Sequence, residues 1–164
     1  MNKIISLAIF LSLGLIHQAS AIEMPSTEEV KKVMDFYYEG NGMGVVLLEA
    51  QVCHGTVQAG PKKHECAGPI GMNPIQEGQE IVFWTSFFVP KDSENENIMI
   101  SFENGGFPKF LKQMSVKGAT RYRNWVKVKP NSDGEWTARI IHEGKDDSTQ
   151  LGTVIFNVQT LKQQ

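Results

Sequence analysis

From residue 45 to residue 159 the chain is cut into short runs by turn-forming residues, and none of these runs carries helical spacing. The runs are 45–53, 80–89, 98–103, 109–117, 120–129, 135–143 and 151–159, rich in β-branched and aromatic residues. Pro90 with KDSENEN, Gly105-Gly106, Gly118, the stretch from Pro130 to Gly134, and Gly144 to Asp147 separate most of them. Seven short strands at this spacing, with no helices between them to cross over parallel pairs, predict a mainly β chain built as an antiparallel β-sandwich. One run stands apart. EIVFWTSFFV (80–89) is apolar on both faces, as expected of a central strand covered on both sides.

Ahead of the strands, Ser26 followed by Glu29 forms a capping-box signature, and Val30, Val33, Met34 and Tyr37 follow at helical spacing. This predicts one short amphipathic helix, stopped by Gly40, Gly42 and Gly44, with the 30/33/34/37 stripe docked on the domain. Residues 1–21 have the pattern of a secretory signal peptide: Lys3, the apolar 4–16 and the small-residue site Ala19-Ser20-Ala21. The apolar run is short for a membrane span, which needs about 20 residues. The expected organisation is therefore a signal peptide (1–21), a helix with a Gly-rich connector (22–44) and a sandwich domain (45–164). The mature chain is expected to be periplasmic or secreted, with no further membrane segment. Hydrophobic residues at 41% exclude a disordered chain.

Export sets the reading of the two cysteines. Cys53 and Cys66 bracket CHGTVQAGPKKHEC, and an oxidising compartment favours a disulfide closing that loop. The alternative is a metal-binding or enzymatic protein that uses His54 and His64 beside the cysteines. The spacing matches no common zinc pattern, so no metal and no cofactor is expected.

The C-terminal third holds the most recognisable pattern. DGEWTARI at 133–140 is followed by LGTVIFNV at 151–158, with Tyr122 and Trp125 upstream. This resembles the last hairpin of small exported bacterial immunoglobulin-like domains of unknown function. The resemblance implies an immunoglobulin-like β-sandwich in which Trp136 takes the place of the corner tyrosine and Ala138 that of the second core cysteine. It implies a fold, not an activity.

Signatures of catalysis are absent: there is no G-x-S-x-G, H-E-x-x-H, P-loop or C-x-x-C. No enzymatic activity is therefore expected. Asp92, Glu94, Glu96 and Glu103 fall on part of a calcium-loop frame, but Asn97 replaces the required glycine. The net charge of −2 hides a polarised chain. Between residues 105 and 131 lie Lys109, Lys112, Lys117, Arg121, Arg123, Lys127 and Lys129, with no Asp or Glu. Strand alternation puts Arg121, Arg123, Trp125, Lys127 and Lys129 on one face of a single strand. Arginine forks suit phosphate or carboxylate, and a tryptophan suits a sugar ring or a cation. The face reads either as an ordinary outer surface paired with acidic neighbours or as a binding site. In the second case an exported chain would meet a partner protein or an anionic envelope polysaccharide there, and not nucleic acid.

Overall fold

The computed structural model describes residues 25–40, 44–60, 62–144 and 147–160. The signal peptide expected over 1–21 and Gly42 of the connector lie outside these. One helix, α1 (Thr27–Tyr38), precedes nine strands: β1 (Val46–Thr56), β2 (Cys66–Pro69), β3 (Ile75–Gln76), β4 (Ile81–Val89), β5 (Glu96–Asn104), β6 (Phe107–Val116), β7 (Ala119–Val128), β8 (Gly134–Glu143) and β9 (Ser148–Gln159). They form two sheets, ordered β2-β1-β4-β7 and β3-β9-β8-β5-β6. With β2 and β3 set aside, β1, β4 and β7 correspond to strands A, B and E of the immunoglobulin sandwich, and β9, β8, β5 and β6 to G, F, C and C′.

The seven strands expected are present as β1 and β4 to β9, and β2 and β3, too short to show periodicity, bring the number among the described residues to nine. One pairing departs from the expected antiparallel order: β3 runs parallel to β9, with Ile75 beside Val158. Ile75 is 2% exposed and plugs the core from that edge.

The core between the sheets is made by the inward residues of each strand, among them Phe83 and Phe87 on β4, Ile98, Ile100 and Phe102 on β5, and Trp136, Ala138 and Ile140 on β8. Phe83 meets Phe102 edge-to-face across the two sheets, with centroids 5.3 Å apart. Within the second sheet Phe110, Trp136 and Phe156 stack in sequence. Trp136 donates its Nε1–H to the Ser132 carbonyl at 2.9 Å. This is the contact a corner tyrosine makes in this fold, and Ala138 follows two residues later, fully buried.

The outer face of the first sheet is also covered, in two places. Near β2 the Cys53–Cys66 disulfide packs with Val82, Trp84 and Trp125 into a second, smaller core. Toward the other end α1 lies on β1, with its Ser26/Glu29 capping box formed. The double cover expected for 80–89 is thus supplied by a disulfide loop and a helix. The helix docks by only part of the stripe expected, Val33 and Tyr37. Glu29, Val33, Phe36 and Tyr37 turn toward the sheet, while Val30 and Met34 stay about half exposed. On the docked side Glu29 pairs with Arg121 of β7.

Candidate functional site

Strand β7 is an edge strand, and its register with β4 fixes which side chains face outward. Arg123 lies opposite Ser86, Trp125 opposite Trp84 and Lys127 opposite Val82, whereas Tyr122, Asn124 and Val126 lie opposite the inward Phe87, Thr85 and Phe83. Arg121, Arg123, Trp125 and Lys127 therefore share the outer face, as the alternation predicts, and Lys129 follows just past the strand end.

The segment between β1 and β2 folds over this face. It turns back through Val57 N–H to Glu65 O and His64 N–H to Val57 O. His64 takes φ +73°, the one non-glycine residue with positive φ among the described residues. A left-handed conformation costs a residue with a β-carbon about 1–2 kcal/mol. Three contacts hold it. Besides its own N–H bond, its carbonyl accepts the buried Trp84 Nε1–H at 2.7 Å, and its ring stacks on Trp125 with centroids 5.1 Å apart and 21° between planes.

That cover also settles the upper half of the cationic ladder. Arg121 donates from Nε to Glu29 Oε1 at 2.8 Å and from Nη1 to Glu65 Oε1 at 2.6 Å. Arg123 donates to the Lys63 carbonyl at 3.0 Å and lies 3.3 Å from the same Glu65 oxygen. These four side chains are only 12–18% exposed. Burial works against the Glu29 carboxylate, but the Ser26 N–H and the Arg121 guanidinium outweigh it and hold this carboxyl below the usual glutamate range. The guanidiniums thus tie helix, loop and strand together.

Lower on the strand the arrangement opens. Trp125, Lys127, Glu80, His54, Thr56 and Gln58 line a groove of about 420 Å³ floored by Val82. Lys127 Nζ lies 2.8 Å from Glu80 Oε1, with both side chains well exposed. Gln58 turns its amide NH₂ to the carbonyl and hydroxyl of Thr56. The sequence offered His54 only as a metal or catalytic candidate beside the cysteines, and Thr56, Gln58 and Glu80 carried no recognisable motif. The pairing of β1 with β4 and of β4 with β7 brings the end of β1 beside the ladder.

The two histidines near the cysteines do not share a site. His64 lies on Trp125, whereas His54 packs over Gly68, and both cysteine sulfurs are bonded to each other. Among the described residues no group of three or more His, Cys, Asp or Glu side chains could hold a metal ion. Two members of the calcium-like frame have other partners: Glu96 pairs with His142 and Glu103 with Arg139.

Neither a family model nor a curated protein matches this chain. Solved structures do align with it. One is the C-terminal domain of wzt, at 12% identity and a TM-score of 0.49 over 73% of this chain and 75% of that one. Another is the CARDB domain of a Pyrococcus furiosus protein in complex with di-metal ions, at 6% identity and a TM-score of 0.44 over 70% of this chain and 87% of that one.

Proposed function

We propose that this chain is an exported, non-enzymatic binding module of the periplasm or the extracellular space. It recognises an envelope glycan or a partner protein through the outer face of β7. The observation that carries the reading is the groove beside Trp125. An aromatic ring and several hydrogen-bonding side chains converge there on a surface stiffened by a disulfide, and clefts of this composition are where ligands bind. The export pattern of residues 1–21 and the disulfide support the compartment. With Arg121 and Arg123 engaged by Glu29 and Glu65, recognition centres on Trp125, Lys127 and Lys129.

The test is capture from an envelope extract by the tagged protein, beside a Trp125→Ala/Lys127→Ser variant of matched thermal stability. The expected result is a species retained by the wild type and lost by the variant. Equal retention by both proteins refutes the assignment of this face.

A further inference from the structure

We propose that the groove beside Trp125 is a saccharide site, and that the ring it takes is uncharged and rich in hydroxyls. This rests on the binding-module reading above and names its ligand class. A volume of about 420 Å³ falls within the usual range for small-ligand clefts, about 300–1,000 Å³. The groove joins two surfaces that a pyranose ring needs. The face of an indole is electron-rich and attracts the weakly positive C–H edge of a sugar. His64, stacked on Trp125, holds that indole in one orientation before any ligand arrives, which lowers the ordering cost of binding.

The polar groups match hydroxyls. A hydroxyl both donates and accepts, so it is best met by donors and acceptors side by side. Glu80 and Lys127, 2.8 Å apart, present a carboxylate acceptor next to an ammonium donor. Among the described residues neither the Trp125 indole N–H nor the His54 ring hydrogen-bonds to protein, and both border the groove. The Gln58 amide NH₂ is turned to Thr56, which leaves its carbonyl oxygen as a further acceptor.

Charge argues against an anion in this position. A phosphate or carboxylate entering the groove would meet the Glu80 carboxylate beside Lys127, the only Lys or Arg lining it among the described residues, already paired. The guanidiniums higher on the strand hold Glu29 and Glu65. The exposed Lys127–Glu80 pair is worth little, but an incoming anion would still face the Glu80 carboxylate. The guanidinium pairs higher on the strand are largely buried and costly to break. An uncharged ring needs no pair broken.

The experiment titrates the purified protein with maltohexaose, mannohexaose and chitohexaose as uncharged probes, and with hexagalacturonate and inorganic phosphate as anionic ones. Tryptophan emission is read in 50 mM and 500 mM salt. Trp84 and Trp136 are fully buried, so a ligand-dependent change reports on Trp125. At least one uncharged hexasaccharide is expected to saturate the signal with the same affinity at both salt levels. Calorimetry, which does not need the indole, should show at least a ten-fold loss in Trp125→Ala. His54→Ala, a change at an exposed position that leaves the fold intact, should weaken binding several-fold.

Binding of the anionic probes alone, falling steeply with salt, overturns the assignment, as does undiminished binding by a folded Trp125→Ala. If no uncharged probe binds while envelope capture still depends on the β7 face, the saccharide assignment fails and the binding module stands. If capture is independent of the face as well, both fail.

Discussion

Replacing Cys53 and Cys66 together with alanine tests how the outer face of the first sheet is held. The disulfide spans a sequence separation of 13 residues. Loop-closure entropy for a loop of that length gives about 3 kcal/mol at 25 °C. Alanine is the right replacement because Cys53 is fully buried, and a serine hydroxyl there would lose its hydration without a partner. Removing sulfur from the cluster with Val82 and Trp84 adds about 1 kcal/mol of lost burial. The expected loss is therefore about 4 kcal/mol, measured by urea unfolding with tryptophan emission and far-ultraviolet dichroism as paired probes. The wild type in reductant keeps its sulfurs, so it should lose about 3 kcal/mol. Both should show a larger urea dependence, because an uncrosslinked denatured chain exposes more surface. A loss below about 1 kcal/mol would refute the reasoning. It would mean that the loop gains no freedom when the bond is absent, even in the denatured chain.

Three further outcomes are expected. Glu29→Gln should cost about 1–2 kcal/mol through its charge-assisted bond to Arg121. The wild-type carboxyl is held below its ordinary value, so its contribution is complete above about pH 4.3 and is lost as pH falls through the folded value. Stability of the wild type, followed by thermal melts across pH, should therefore fall faster in acid than that of the variant. In Gly118→Ala the new β-carbon would lie 2.6 Å from the Lys91 carbonyl oxygen. No rotamer relieves a backbone clash, so a loss of about 1–3 kcal/mol is expected in urea unfolding. Trp136→Phe removes the donor to Ser132 and should cost about 1–2 kcal/mol by the same measurement.

What the sequence revealed follows the range of each interaction. Strand alternation is local, so the outward set Arg121, Arg123, Trp125 and Lys127 was readable from spacing alone. The capping box of Ser26 and Glu29 was readable for the same reason. Trp136 was recognisable through the resemblance of its hairpin to those of immunoglobulin-like domains. The partners of the ladder were not readable, since Glu29 and Glu65 lie 92 and 56 residues from Arg121 in sequence. Choosing between an ordinary outer face and a binding surface needed those partners: the arginine half proved internally paired, and the groove appeared at the other end. The helix illustrates the same limit. Its apolar spacing pointed to Val30, Val33, Met34 and Tyr37, but only Val33 and Tyr37 turn to the sheet, beside Glu29, whose partner Arg121 lies 92 residues away.

The order of strands in the first sheet has a kinetic consequence. β1 must find β4, pairing Val46 with Phe88, and β4 must find β7, pairing Ile81 with Val128. Each step closes a long loop before any burial repays it. Chains of such non-local topology fold in about milliseconds to seconds, far more slowly than helical bundles. The Cys53–Cys66 loop is local by comparison. Oxidised early, it would hold β1 and β2 in register while β4 and β7 are still being sought.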